Sequence, residues 1–345
     1  MNISAGKLWS YRRLSDNKGT FKMLATDQRP PIMEVVKENK KSNIAPDEDI
    51  SQIKKSLIKC LAEESSAILI DPIWGYPTSF MEINQQKGLI ITLEEHNFYE
   101  SSKGRISSEI PYWSVAKIKS LGADGVKFLV WYRPDSDTST CDFQQKLVER
   151  IGQACIKYDI LFLLELLIYP LTNEKQNNQY NNKTKYSSLV IDSAKLFSDK
   201  RFGVDILKLQ SPLPANEIPE LNDENSVDCQ EYFNKLGDAT SVPWVMLSAG
   251  TTIHNFYKTL QYAYKAGASG YLAGRAIWLN TIKNYFPDIS LMEQNLRNDS
   301  VNYMKKLNDL TNKYAKPWHH HKIFKGNITL KYKGYDFPKK YDVLF

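Results

Sequence analysis

Cysteines, membrane-length apolar runs and blocks of like charge are all scarce in this sequence of 345 residues. Its four cysteines, Cys60, Cys141, Cys155 and Cys229, form no CxxC pair, which favours reduced thiols in a cytoplasmic protein over disulfides. The first residues contain no apolar core of signal-peptide length, and no segment approaches a membrane span, so we expect no membrane partner. The net charge of +6 comes from scattered lysines, which argues against a nucleic-acid arm but is compatible with small anionic substrates.

Histidine is also scarce, and its positions argue against a metal site. The five histidines are His96, His254 and the run His319, His320 and His321, and none lies in a predicted strand. A metal-dependent enzyme would need a histidine-rich site, so we expect no metal. The histidine run could bind a metal, but we favour an exposed tail segment.

Eight short apolar runs alternate with amphipathic, helix-like stretches along the chain. Several runs are apolar almost throughout, as in parallel strands that are covered on both faces. Strands that alternate with helices predict βαβ units, and eight units in a chain of this length favour an α/β fold with a single (β/α)8 TIM barrel. An open doubly wound sheet is the alternative, but no GxGxxG motif follows the first strand to support a dinucleotide fold. The runs are FKMLATD (21–27), AILID (67–71), GLIITLEE (88–95), GVKFLVW (125–131), ILFLLELLIY (160–169), VDILKLQ (204–210), VPWVMLSAG (242–250) and GYLAGR (270–275).

The predicted barrel divides the chain into three parts. Residues 1–20 are expected to form an N-terminal helical segment, residues 21–285 the barrel, and residues 286–345 a helical, then irregular, C-terminal extension that packs on it. The polar stretch at residues 173–188 follows the fifth strand. It is either an ordered lid or an exposed mobile loop, and its Asn- and Lys-rich composition favours the loop.

Polar residues stand at the carboxyl ends of the predicted strands, where barrels of this kind place their chemistry. Lys127, Glu165 and Lys208 lie on three successive apolar strands, so they should meet in one interior. Lys127 and Glu165 could instead form a structural ion pair. Asp71, which precedes a proline, could instead be a turn residue. Glu94 and Glu95 have an alternative role as a solvated helix start. The strand-end residues are Asp27, Asp71, Glu94, Glu95, Lys127, Glu165, Lys208, Ser248, Gly250, Gly274 and Arg275.

Two lysines and a carboxylate in an apolar interior indicate amine chemistry. Burial and a second cation, Lys127, would both lower the pKa of Lys208 and so favour a neutral amine that attacks a ketone to form a Schiff base. Glu165 would then move protons during formation and breakdown of the adduct. Asp27, or Glu165 itself, would take the proton from the hydroxyl whose carbon becomes an aldehyde.

The last two strands provide a candidate phosphate site. Loops after these strands of a barrel often bind phosphate through backbone N–H groups. Ser248, Gly250 and Gly274 would allow close approach of the anion, and Arg275 would supply the positive charge.

These residues fall within motifs that resemble one known family. The motifs LATDQR, ILIDPIWGYP, GADGVKFLVWY, FLLELLIY, RFGVDILKLQSP, LSAGTT and GASGYLAGRAIW occur in the order found in class I tagatose-1,6-bisphosphate aldolases, across about residues 21–280. The resemblance implies a (β/α)8 barrel that uses a lysine Schiff base and no metal. It assigns the Schiff base to Lys208, acid/base catalysis to Glu165, and active-site roles to Lys127 and Asp27. It also suggests a homo-oligomer.

The expected substrate is therefore a ketose phosphate, cleaved to dihydroxyacetone phosphate and an aldehyde. Gln28, in the LATDQR motif, and Asp71 join the phosphate-site residues as candidates for substrate binding. Two departures leave the sugar open: Pro30 and Pro31 replace the usual Gly-Ser, and Gln210 replaces a more usual acid. Tagatose-1,6-bisphosphate is the favoured substrate, with fructose-1,6-bisphosphate, sulfofructose-1-phosphate or another ketose 1-phosphate as alternatives. A non-catalytic sugar-phosphate sensor would keep the same residues.

Overall fold

Eight parallel strands form a closed barrel in the computed structural model, which describes residues 2–171, 174, 182–324 and 326–341. Their order around the barrel follows the chain, and the last strand pairs with the first. The predicted (β/α)8 fold is therefore confirmed. The strands are β1 (Phe21–Ala25), β2 (Ala67–Ile70), β3 (Gly88–Thr92), β4 (Gly125–Trp131), β5 (Leu161–Leu167), β6 (Ile206–Leu209), β7 (Trp244–Met246) and β8 (Gly270–Ala273).

Helices surround the barrel and cover its outer face with apolar side chains. The helix α3 begins with three acidic residues, which suit the positive end of a helix dipole. Thr252 caps the start of α8, because its side chain accepts a hydrogen bond from the backbone N–H of Asn255. The helices are α1 (Ala5–Leu14), α2 (Pro30–Lys40), α3 (Asp47–Leu61), α4 (Val115–Ser120), α5 (Thr138–Lys157), α6 (Lys183–Phe197), α7 (Ser226–Ala239), α8 (Ile253–Lys265), α9 (Arg275–Tyr285), α10 (Ile289–Asn295) and α11 (Val301–Tyr314). Helical turns of four residues lie at Tyr76–Ser79 and Phe337–Lys340.

The inside of the barrel changes from apolar to charged along the strands. Because side chains alternate between the two faces of a strand, Ile206 shares a face with Lys208, and Leu161 and Leu163 share one with Glu165. The apolar members of these sets are fully buried in one cluster towards the amino ends of the strands. The charged members therefore form the next layer, at the carboxyl ends.

The C-terminal extension contacts the barrel through α11. The hydroxyl of Tyr271, on β8, donates a hydrogen bond to Asn308 of α11 at 2.7 Å. A two-stranded sheet joins Asn2–Ile3 to Thr329–Leu330, and a short hairpin, Tyr99–Ser101 with Gly104–Ile106, follows β3. No helix in the described part of the chain is both long and apolar enough to cross a membrane.

Two expectations from the sequence were wrong. The stretch at residues 173–188 is not a loop throughout, because α6 begins at Lys183 and Glu174 is buried against Arg133; residues 173 and 175–181 lie outside the described part. The histidine run is not an exposed tail either, because His321 is only 5% exposed. Its Nε2 atom lies 2.8 Å from the Ser269 hydroxyl, so the run is anchored to the barrel.

Candidate active site

Four of the charged side chains predicted at the strand ends meet inside the barrel. Lys208 on β6 lies opposite Glu165 on β5, and its Nζ is 2.9 Å from Glu165 Oε2. Lys127 Nζ, on β4, is also 2.9 Å from this same oxygen and 2.8 Å from Asp27 Oδ2. None of the four residues is more than 7% exposed. One buried carboxylate oxygen therefore contacts both lysines.

The charges of this cluster stabilise one another. Burial alone would lower the pKa of Lys127, but the negative charges of Asp27, Glu165 and Glu94 outweigh it and raise that pKa well above its usual value. Burial alone would raise the pKa values of Asp27 and Glu165, but Lys127 and Lys208 hold both below their usual range. Lys127 is therefore a permanent cation next to the carboxylate that contacts Lys208.

Glu94 is a third carboxylate on Lys127, and the sequence placed it at a strand end without giving it a catalytic or binding role. Its side chain is 4% exposed and contacts Lys127 Nζ directly. The interpretation as a solvated helix start was wrong: the backbone of Glu94 forms a β-bridge with Glu109. Glu95 instead is half-buried and contacts His96. The strand-end position was the available signal, but sequence alone could not tell which of the adjacent glutamates points inward.

A cavity extends from this cluster to the loops after β7 and β8. Glu165 and Lys208 line it together with four of the predicted binding residues, Gln28, Ser248, Gly274 and Arg275. Gly250 has a positive φ of 77°, and a Cβ atom there would lie 3.2 Å from the guanidinium carbon of Arg275. Arg275 is the first residue of α9, so backbone N–H groups at a helix start lie next to its positive charge. This end of the cavity can bind an anion.

The comparisons with known proteins agree with this geometry. The family model described as DeoC/LacD family aldolase matches residues 22–280. The chain belongs to this aldolase family. It is 33% identical over 285 residues to tagatose 1,6-diphosphate aldolase 1 of Enterococcus faecalis, which covers 81% of this chain and 86% of that protein. It is 30% identical over 325 residues to tagatose 1,6-diphosphate aldolase of Lactococcus lactis, which covers 92% of this chain and 99% of that protein.

Solved structures of aldolases share the fold of this aldolase. A Schiff base-forming fructose-1,6-bisphosphate aldolase aligns with a TM-score of 0.56 and 18% identity over 88% of this chain and 99% of that one. Fructose-bisphosphate aldolase from Plasmodium falciparum aligns with a TM-score of 0.65 and 11% identity over 92% of this chain and 98% of that one. The resemblance stated from the sequence is confirmed, and the chain is an enzyme, a carbon–carbon lyase.

The wall of the aldolase cavity beyond Glu165 includes Gln210, which the sequence had noted as a departure from the family, together with residues to which it gave no role. Gln210 accepts a hydrogen bond from the backbone N–H of Ile168 at 3.0 Å and donates one to the Tyr186 hydroxyl at 2.7 Å. Trp131, at the end of β4, lines the same cavity. Tyr186 lies in the tract that its composition had favoured as a mobile loop, and no local signal marked it as part of α6.

Asp71, one of the predicted binding residues, does not line the cavity of the aldolase. It is fully buried, its Oδ1 accepts hydrogen bonds from the backbone N–H groups of Ile73 and Trp74, and its Oδ2 lies 2.7 Å from Lys54 Nζ. The turn role considered for Asp71 accounts for the two backbone contacts of Oδ1. Across the described residues, no group of three or more His, Cys, Asp or Glu side chains could hold a metal ion.

Proposed function

We propose that this aldolase is a class I enzyme that cleaves tagatose-1,6-bisphosphate to dihydroxyacetone phosphate and glyceraldehyde 3-phosphate. The observation that carries the proposal is the Glu165 carboxylate oxygen, 2.9 Å from both Lys208 Nζ and Lys127 Nζ. The names of the two bacterial relatives support the sugar. In this assignment Lys208 is the nucleophile, Glu165 the acid/base group, and Lys127 the permanent cation that orients Glu165.

The substrate binds with its 1-phosphate at the anion site of Ser248, Gly274 and Arg275, which brings the C2 ketone to Lys208. Glu165 takes a proton from the ammonium of Lys208, whose Nζ lies 2.9 Å from Oε2, and the resulting neutral amine adds to C2. Glu165 returns this proton to the carbinolamine hydroxyl, which leaves as water and gives an iminium. A carboxylate then removes the proton from the C4 hydroxyl, the C3–C4 bond breaks, and its electrons move into the iminium to form an enamine. Protonation at C3 and hydrolysis release dihydroxyacetone phosphate and restore Lys208.

Asp27 is the carboxylate best placed to take the C4 hydroxyl proton. Its Oδ2 contacts Lys127, while its Oδ1 is buried without a hydrogen-bond partner in the described chain. The low pKa of Asp27, which Lys127 and Lys208 impose against the effect of burial, keeps it ionised before the substrate binds. The free oxygen can then accept a substrate hydroxyl.

Borohydride trapping tests mechanism and substrate together. Purified protein is reduced in the presence of tagatose-1,6-bisphosphate, fructose-1,6-bisphosphate or sulfofructose-1-phosphate, and peptides are mapped by mass spectrometry, with K208A as the control. We expect a ketone adduct on Lys208, absent from K208A, and turnover that survives EDTA because the iminium supplies the electron sink. An adduct on Lys127 would exchange the roles of the lysines. Cleavage without an adduct on either lysine would refute the mechanism, and binding without turnover would indicate a sensor.

A further inference from the structure

A fully buried lysine outside the cavity wall contacts the segment that carries Asp27. Lys54, on α3, is 0% exposed, although most neighbours on the inner face of this helix are apolar. Burial of a charged amine is costly unless it is paired and hydrogen-bonded. Lys54 meets this requirement with three oxygens: Thr26 O at 2.6 Å, Gln28 O at 2.9 Å and Asp71 Oδ2 at 2.7 Å.

The two carbonyl groups bound by Lys54 are those on either side of Asp27. Strand β1 ends at Ala25, so Asp27 lies in an irregular segment before α2. Thr26 still bonds to the neighbouring strand, because its backbone N–H and its hydroxyl donate to Leu69 O at 2.8 and 3.0 Å. Beyond that point, Lys54 supplies donors to the backbone both before and after Asp27. Its ammonium thus restricts the direction in which the Asp27 side chain leaves the backbone.

Asp71 gives Lys54 a fixed anchor. Its Oδ1 is held by two backbone N–H groups of the turn after β2, and its own carbonyl accepts the N–H of Tyr76 at 2.9 Å. Since this carboxylate cannot rotate without losing those bonds, the ammonium of Lys54 is fixed relative to the ends of β1 and β2. The positive charge of Lys54 also favours the ionised form of Asp27.

We infer that Lys54 and Asp71 are positioning residues, a buried ion pair that holds Asp27 against Lys127 for removal of the C4 hydroxyl proton. The inference rests on the proposed aldol cleavage. It assigns Asp71, which the sequence suggested as a substrate ligand, to the support of the proton acceptor. Schiff-base formation at Lys208 does not involve this pair, so loss of the pair should slow cleavage and leave covalent trapping intact.

The test uses the double variant K54M/D71N, which removes both charges and leaves no unpaired buried ion. K7M/D205N is the matched control, because Lys7 Nζ lies 2.7 Å from Asp205 Oδ2, and Asp205 also accepts a backbone N–H, from Phe162, at 2.8 Å. That pair lies at the opposite end of the barrel, before β6. Both proteins are measured for kcat, KM, borohydride trapping and thermal unfolding, and the crystal structure of K54M/D71N is determined.

We expect kcat of K54M/D71N to fall roughly tenfold to a hundredfold, as for a misplaced catalytic group, with KM little changed and trapping at Lys208 retained. K7M/D205N should keep wild-type kcat even where its Tm falls. In the crystal structure, the contact of 2.8 Å between Asp27 and Lys127 should lengthen.

Wild-type kcat in folded K54M/D71N, or an equal loss of kcat in K7M/D205N, would overturn the inference. If K54M/D71N does not fold, D71N carries the test, because it leaves Lys54 in place without its anchor: reduced kcat with retained trapping supports the inference, and wild-type kcat overturns it. Failure of the wild-type protein to trap or cleave any ketose phosphate would instead refute the proposed function. Even then, the position of Asp27 in the crystal structure of K54M/D71N would show whether Lys54 and Asp71 hold this side chain in place.

Discussion

At the scale of single residues, three strands of the barrel each carry one buried charged residue among apolar ones: Lys127, Glu165 and Lys208. Leu161 and Leu163 fill the barrel interior, and Glu165, the next residue on the same face, contacts two lysines. A charged residue in an otherwise apolar strand can be recognised from sequence because burying it without a partner is so costly. The positions of Lys127, Glu165 and Lys208 on successive strands predicted that the three side chains meet. Glu94 could not be predicted as a further partner of Lys127, because Glu94 and Glu95 differ only in the direction of their side chains.

Glu165→Gln should separate covalent binding from turnover. The amide keeps the shape of the side chain but cannot move protons, so we expect kcat to fall by roughly a hundredfold or more, the usual contribution of acid/base catalysis. Borohydride should still trap substrate on Lys208. Glu95→Gln is the matched control, because Glu95 contacts His96 instead of the lysines. Wild-type kcat in E165Q would remove Glu165 from the mechanism.

Arg275→Ala should weaken substrate binding with little effect on stability. Hydrogen bonds to a charged group contribute about 1.5–3 kcal/mol, so KM should rise roughly tenfold or more. Gly250→Ala offers a second route to the same result, because its Cβ would approach the guanidinium carbon to 3.2 Å at a positive φ of 77°. KM is measured by steady-state kinetics with the substrate that borohydride traps. An unchanged KM in R275A would exclude Arg275 from the anion site.

At the scale of helices and strands, local pattern predicted the barrel well and the connections poorly. The eight runs became eight strands because strands buried on both faces are recognisable as apolar runs. No apolar run of this kind marked the start of α6 within the polar tract. In the same tract, Glu174 is buried because it pairs with Arg133, which follows β4. Likewise, His321 is buried against Ser269 just before β8. The burial of Glu174 and of His321 is therefore determined by contacts between residues distant in sequence.

His321 should make stability depend on pH. Burial, followed by the charges of Lys316, His320 and Lys322, lowers the pKa of His321 to about 3. Because the unfolded chain binds a proton at a pKa near 6.5 and the folded protein does not, the free energy of unfolding is highest above about pH 6.5 and falls as the pH drops towards 3. The loss should be on the order of a few kcal/mol, since each pKa unit corresponds to about 1.4 kcal/mol.

Denaturant titrations of wild type and His321→Gln between pH 7 and pH 4 measure this effect. H321Q should be less stable than wild type at pH 7, where the contact with Ser269 is lost, but should show a shallower decline with falling pH. His320→Gln is the control, because that neighbouring side chain is exposed, and it should decline like wild type. Parallel slopes for H321Q and wild type would contradict a buried neutral imidazole.

At the scale of the whole molecule, the two ends of the barrel differ: one carries the catalytic side chains, and the other is covered by an aromatic cluster. The carboxyl ends of the strands carry the lysines and carboxylates. At the other end, Tyr11 of α1 stacks on Trp318 with ring centroids 4.6 Å apart, and Phe324 packs edge-on against both rings. The sequence predicted a packed C-terminal extension, but not that it meets the N-terminal helix, because that contact joins residues about three hundred positions apart.

The two ends should therefore respond to mutation independently. Trp318 is 5% exposed and stacks on Tyr11, so Trp318→Ala should lower the free energy of unfolding by about 3–5 kcal/mol, as for other buried tryptophans. At a temperature where W318A remains folded, its kcat and KM should match wild type, because the catalytic layer lies at the opposite end of the strands. Trp9→Ala is the control, since Trp9 is 59% exposed and its loss should change stability little.

Combining W318A with R275A, which acts on KM, should give additive effects, as expected for distant sites without shared partners. A raised KM in W318A, or a double variant whose KM exceeds that of R275A alone, would show that closure of one end is coupled to substrate binding at the other.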